Sequence, residues 1–374
     1  MLTAVVSDLH LAAGTDGDLL RRPAFRERLL SAIEGADRVV LLGDVVELRD
    51  RPVADALELA GPFFEHLGAT VGRGEIVLVP GNHDHRLVSD WLDRRALEGT
   101  DGLALEQVVQ PHDSPVDVLA RRLGKRPKLR VVYPGIWLRP DVYATHGHYL
   151  DRHLTIPTIE RLGVAAVERI LGIPPGGPDP LAPPGEEAPA STDEYERIQA
   201  PVNAFLYALA QAGVGGHQGA ANPSARIWAM VNTGETRSAR FRGWLLGSVA
   251  VPGAVGIANR LGLGPVRSDL SPGAITRAGL AAIAAVVERL AIDAEHLIFG
   301  HTHRRGPMQG EAGWRAGATS LWNTGSWVHA PTLLGATAAE SPYWPGTVAL
   351  LGESGPPELR HVLDDLKRAD LEAA

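Results

Sequence analysis

Hydrophobic residues in this chain fall in short uninterrupted runs rather than in alternation. Residues 2–7 (LTAVVS), 38–42 (RVVLL) and 75–80 (EIVLVP) are such runs, and stretches of helical spacing near 23–35 and 57–67 separate them. A run of four to six apolar residues is too short for a helix, and it suits a strand covered on both faces. Alternation with helices therefore predicts an α/β layer fold. The runs 142–145 (VYAT) and 296–299 (HLIF) read as further core strands. Between them the rhythm breaks. A helix is expected near 158–171, and 173–191, rich in Pro, Gly and Ala, reads as an exposed linker. Residues 193–213 then read as a helix bent near Pro201 and stopped at Gly213. Another near 272–292 carries an apolar face of Ile275, Leu280, Ile283, Val286, Val287 and Leu290. The pattern divides the chain into a core, 1–150 and 296–360, and a mostly helical insertion, 151–295. Short strands are expected around 315–331 and 344–352, and a short fraying helix within 359–374.

Composition narrows the chemistry. The 374 residues contain no cysteine, which excludes disulfides, thiolate metal sites and cysteine nucleophiles, so any metal must be held by nitrogen and oxygen. The net charge of −8 argues against an extended nucleic-acid surface. Met1 leads straight into the first strand without a basic leader, and no 18-residue apolar run occurs, so the chain reads as cytoplasmic without a transmembrane span. One segment, 237–264, sets three arginines before Trp244, Leu245 and Leu246. It reads as internal packing of the insertion, with peripheral contact at the inner face of a membrane, or a lid over an acylated substrate, left open.

The informative residues stand where the strands end. They are Asp8 and His10; Gly43-Asp44; Gly81-Asn82-His83-Asp84; His146-Gly147-His148; and Gly300-His301-Thr302-His303. Ligand sites of open α/β sheets lie outside the carboxyl ends of the strands, so five strand ends deliver metal-capable side chains to one rim. Residues two apart on an emerging strand share a face, which suits Asp8 with His10 and His301 with His303. Two divalent ions about 4 Å apart need a carboxylate between them to offset their repulsion.

In that order, SDLH, GD, GNHD, HGH and GHTH resemble the motifs of the calcineurin-like metallophosphoesterase superfamily, over residues 7–303. The resemblance implies a four-layer αββα sandwich of two mixed β-sheets, here with a large mostly helical insertion. It implies a dinuclear centre in which Asp8, His10 and His303 hold one ion, Asn82, His146 and His301 the other, and Asp44 bridges both. The ions would be Mn or Fe/Mn, with Zn or Mg as alternatives. His83 matches the histidine that contacts phosphate and protonates the leaving oxygen, and Asp84 the acid that orients it. The implied reaction is phosphohydrolysis of a phosphomonoester, phosphodiester or pyrophosphate by a metal-bridging hydroxide. A nuclease and a non-catalytic scaffold of the same fold are the alternatives. Some resemblance extends to enzymes that cleave the pyrophosphate of UDP-2,3-diacylglucosamine, which carry HGD and GNRD where this chain has HGH and GNHD. That resemblance points to a phosphorylated small molecule or a nucleotide-linked lipid as substrate.

Several residues keep more than one reading. His148 is expected to meet substrate, support His146 or cap its loop, with direct metal ligation the less favoured reading. Asn323-Thr324-Gly325-Ser326 resembles a family element whose Asn323 and Ser326 brace the metal loops. Arg49, His85, Arg86, His153 and Arg304 either face a phosphate or pack on the protein. The basic run from Arg121 to Arg130 reads as a solvated turn, with an anionic ligand or a membrane surface as alternative partners.

Overall fold

The computed structural model describes residues 1–14, 17–99, 102–112, 114–174, 176, 190–212, 251–331, 333–335 and 337–372. Eleven strands are found among them: β1 (Thr3–Val6), β2 (Arg38–Leu42), β3 (Glu75–Val79), β4 (Glu106–Val109), β5 (Lys128–Arg139), β6 (Val142–Thr145), β7 (His296–Phe299), β8 (Trp314–Ala316), β9 (Thr319–Asn323), β10 (Thr347–Leu351) and β11 (Glu358–His361). Every residue of β1 and β2 is buried, as uninterrupted apolar runs require. Strands β1, β2, β3 and β5 are mutually parallel, as are β6, β7 and β9, and β10 closes antiparallel on β1.

The two separate sheets expected from the sequence are instead one continuous mixed sheet, ordered β11-β10-β1-β2-β3-β5-β6-β7-β9-β8, with β4 paired to β5. The reason is the length of β5. Its first four residues pair with β3 and its end pairs with β6, through a register shift between Trp137 and Arg139. The sheet curls on this shared strand. Val5, Val40 and Val77 from one half form a common core with Ile136, Val142, Ala144 and Ile298 from the other. The outer face of the first half is covered by α1 (Pro23–Ile33), α2 (Val53–Val71), α3 (Arg86–Glu98) and α4 (Pro115–Leu123), through Phe25, Leu29, Phe63, Phe64, Leu87 and Leu119. Full burial of each such side chain is worth about 2 kcal/mol.

Helix α3 and strand β4 were not legible in the pattern. The buried stripe of α3 is only Leu87 and Val88, and β4 buries only its last residue, Val109. The basic run comprises the last turn of α4, an exposed turn and the start of β5. Arg122 pairs with Glu65, and Arg130 with Glu75 and Glu106. Near the C-terminus β11 precedes a helix at Arg368–Glu372.

The chain packs as two compact units. One comprises Met1–His148, Asn203–Gly219 and Asp293–Ala374, and the other Tyr149–Val202 and Ala220–Ile292. The segment Asn203–Gly219 thus groups with the strands. The second unit includes α5 (Ile159–Leu171), the first part of α6 (Thr192–Gln211), α7 (Val251–Arg260) and α8 (Pro272–Arg289). Pro201 lies inside α6. Most of 173–191, read as a linker, and residues 237–250, read as internal packing, a lid or a membrane contact, lie outside the described residues. No described helix is long and apolar enough to cross a membrane.

His153 belongs to the packing of the second unit. Its Nδ1 donates to the Gly176 carbonyl, so Nε2 is the acceptor for the Tyr195 hydroxyl at 2.6 Å. Both ring nitrogens are used inside the fold, which favours the packing reading. Burial pushes its pKa down to about 3, and the Gly176 hydrogen bond opposes this while nearby arginines reinforce it. The unfolded chain takes up a proton below about pH 6.5 that the native ring refuses. Stability from this group is therefore complete above pH 6.5 and drains as pH falls toward 3, by about 3 kcal/mol at pH 4. Thermal melts at pH 7, 5.5 and 4 are expected to fall more steeply for wild type than for His153→Gln. Equal slopes would rule this account out.

Candidate metal centre

Three groups of His and Asp at the ends of the strands bring their ligand atoms within 4.8 Å of one another: Asp8, His10 and His303; Asp44, His146 and His301; and His10, Asp44 and His83. Asp44 belongs to two of them. Its Oδ2 lies 3.2 Å from His146 Nε2 and 3.7 Å from His10 Nε2, and His303 Nε2 lies 3.2 Å from Asp8 Oδ1. Donors held about 3 Å apart match the edges of a coordination shell with bonds near 2.1 Å.

The backbone is strained into this arrangement. Seven described non-glycine residues have positive φ, and Asp8, His10, Asp44, His301 and His303 are five of them. Left-handed backbone costs an L-residue roughly 1 kcal/mol, and its concentration on the candidate ligands marks a built site. The glycines of the motifs are explained by contact. A Cβ at Gly81 would stand 2.4 Å from Asp44 Oδ1, and one at Gly300 would stand 2.3 Å from Asp8 Oδ2.

Asn82 tests whether a cation suits the cluster. Its Oδ1 points inward, 3.1 Å from His146 Nε2 and 3.2 Å from both His301 Nδ1 and Asp44 Oδ2. An amide oxygen against a carboxylate oxygen is repulsive unless positive charge lies between them. Without a cation the reversed amide would hydrogen-bond better, donating to these same atoms. The inward oxygen, an ionised Asp44 and imidazole nitrogens form the N/O set that suits a divalent ion.

The electrostatics agree. Burial would push Asp8 and Asp44 toward neutrality, but the neighbouring histidines hold both below the usual carboxylate range, Asp44 well below. Burial disfavours charge on His10 and His146, yet the surrounding carboxylates prevail, raising His10 to about 10 and His146 to about 9. The cage attracts positive charge. Nδ1 of His146 faces the Leu42 carbonyl at 3.0 Å and donates to it, so Nε2 is the atom turned to the centre.

The partner of His83 is not the expected one. Asp84 was to orient its imidazole, but the Asp84 oxygens accept the backbone N–H of Gly81 at 2.7 Å, Val45 at 2.8 Å, Asp44 at 3.3 Å and Val46 at 3.4 Å. Asp84 thus ties the Asp44 loop to the Asn82 loop. The carboxylate that meets His83 is Glu47, fully buried, whose Oε2 accepts from His83 Nδ1 at 2.6 Å and from His10 Nδ1 at 2.9 Å. Burial opposes its ionisation, but the charge of His83 and these two hydrogen bonds hold it far below the usual range. A glutamate placed three residues after Asp44, inside an apolar stretch, was the available signal.

Supporting residues sort likewise. His148 lies in none of the ligand groups. It is buried behind His146, ring centroids 5.7 Å apart, with Nε2 3.2 Å from the Tyr133 hydroxyl, and burial beside His146 keeps it neutral. Asn323 Nδ2 holds the Gly300 carbonyl and the Thr302 hydroxyl. Its expected companion Ser326 is displaced by Thr324, whose hydroxyl meets Ser7 at 2.6 Å, while Ser7 donates to Asp8. Arg304 pairs with Glu311 over the Trp314 ring, Arg86 pairs with Asp90, and His85 is buried against Tyr133, so these three pack on the protein.

No curated protein matches the chain. The family model described as calcineurin-like phosphoesterase matches residues 1–169, the stretch that carries Asp8, His10, Asp44, Asn82, His83 and His146. His301 and His303, brought to the same cluster from β7, lie beyond the matched stretch, so the chain is similar to calcineurin-like phosphoesterases over residues 1–169.

Proposed function

We propose that the protein is a dinuclear metal-dependent phosphohydrolase acting on a phosphomonoester, phosphodiester or pyrophosphate bond. The observation that carries this reading is the chain of His/Asp groups in which His10 links Asp8 and His303 to Asp44, and Asp44 links His10 to His146 and His301. Asp8, His10 and His303 would hold one ion and Asn82, His146 and His301 the other, with Mn or Fe/Mn preferred. Bound there, divalent ions supply Lewis acidity, neutralising phosphoryl oxygens and lowering the pKa of water. The protein's own part is positioning and proton delivery. Asp84 fixes the two loops that carry Asp44 and Asn82. Glu47 fixes His83 through Nδ1, leaving Nε2, 4.0 Å from Asp44 Oδ2, to give a proton to the departing oxygen. We place the substrate among phosphorylated small molecules or nucleotide-linked lipids, met on the cytoplasmic side.

The deciding experiment is metal content by mass spectrometry, paired with hydrolysis of p-nitrophenyl phosphate and bis-p-nitrophenyl phosphate under added Mn²⁺. Near two ions per chain and turnover of at least one ester are expected. Less than one ion per chain after loading, with neither ester cleaved, would reject the reading.

A further inference from the structure

The loop that follows Asp44 is held by the C-terminal part of α6. Gln211 accepts from the Val53 N–H at 3.0 Å and donates to the Arg51 carbonyl at 3.3 Å, while Asn203 Oδ1 accepts from Arg49 Nη2 at 2.7 Å. The last contact joins residues 154 positions apart and orients the Asn203 amide, since turning it over would set NH₂ against guanidinium. In that orientation Asn203 Nδ2 is fully buried and has no acceptor among the described residues.

At its other nitrogen the same guanidinium faces a donor. With Asn82 Oδ1 turned inward as a metal ligand, Asn82 Nδ2 stands 3.1 Å from Arg49 Nη1, donor against donor. The inward end of that amide is reconciled by a cation. Its outward end is reconciled by an acceptor of hydrogen bonds, and beside a guanidinium the fitting acceptor is an oxyanion.

We propose that Asn82 Nδ2, Arg49 and Asn203 Nδ2 form an oxyanion subsite beside the Asp44–His146–His301 group, which takes a phosphoryl oxygen of the substrate. The assignment rests on the phosphohydrolase reading and adds to it a substrate contact from α6. It also selects the phosphate-facing reading of Arg49.

The test is binding of inorganic phosphate to the full-length Mn²⁺-loaded protein by titration calorimetry, with metal content measured on the same samples. Asn203→Asp is the informative variant. A carboxylate there still holds Arg49 but turns an amide donor into a negative charge. Both Asn203→Asp and Arg49→Gln are expected to retain wild-type metal content and to bind phosphate about ten-fold more weakly or worse. Arg49→Lys, which keeps the charge without the fork, is expected to fall between Arg49→Gln and wild type. Unchanged phosphate affinity in Asn203→Asp with both ions present overturns the subsite, because Asn203 then only braces Arg49. Should that variant fail to fold, unchanged affinity in Arg49→Gln overturns it equally. A wild-type protein that loads metal and cleaves ester while the variants bind phosphate normally defeats the subsite alone. A wild type that takes up no metal defeats the phosphohydrolase reading and the subsite together.

Discussion

Asp44→Asn is expected to remove at least one metal ion per chain and to lower ester hydrolysis roughly 10³-fold or more. Asp44 is the one carboxylate shared between ligand groups, with Oδ2 within 3.2 Å of His146 Nε2 and 3.7 Å of His10 Nε2. Its ionisation is favoured by His146 and His83 despite full burial. An amide keeps the shape but removes the negative charge that lets two cations share a small volume, and one of its ends becomes a donor facing imidazole nitrogens. The backbone should survive, because the loop is held by Asp84 and by the Asp44 carbonyl, which accepts from the His10 N–H at 2.9 Å. Unaltered melting with metal loss would separate the charge effect from unfolding. A variant with both ions and activity within ten-fold of wild type would refute the bridging role.

His83→Ala is expected to cost about 10²- to 10⁴-fold in turnover while both ions stay bound, the range for loss of a general acid. The loss should be larger for an alkyl phosphate than for a p-nitrophenyl ester, because nitrophenolate departs readily without a proton. Equal losses on the two would assign His83 to binding alone. Glu47→Gln should reproduce part of this, about 10- to 100-fold, because it weakens the hydrogen bond that orients Nδ1. The double variant should then be little worse than His83→Ala, since the two residues act as one unit. If the losses instead multiply, Glu47 works mainly through His10, its other partner at 2.9 Å.

Much of the centre was legible in the chain because its features are local. A strand end, a glycine and a ligand side chain occupy two or three consecutive residues, as in Gly43-Asp44 or Gly300-His301. The glycines are there because a Cβ would enter the ligand cluster. Asp84 misled for the opposite reason. It neighbours His83 in sequence, but its oxygens turn back to the N–H groups of the Asp44 loop, and the imidazole finds Glu47, 36 residues upstream. Likewise Thr324, not Ser326, reaches Ser7 across 317 residues. Partnership between side chains from different loops follows from closure of the sheet, which no local pattern encodes.

Short apolar runs, most of them followed closely by glycine, determined where β1, β2, β3, β6 and β7 lie and which residues would end them, because burial on both faces and the steric needs of tight turns act within a few residues. The chemistry allowed was likewise settled by composition: without cysteine, a metal centre must be built from imidazole, carboxylate and amide. The tertiary structure decided what depends on distance through space. Twelve-residue β5 makes one curled sheet of an expected pair. Left-handed backbone at five candidate ligands turns their side chains into a common volume. Glu47 and Arg49 acquire partners from other loops and from α6, because hydrogen-bond energies fall away within a few ångströms and register only contacts that folding has already made.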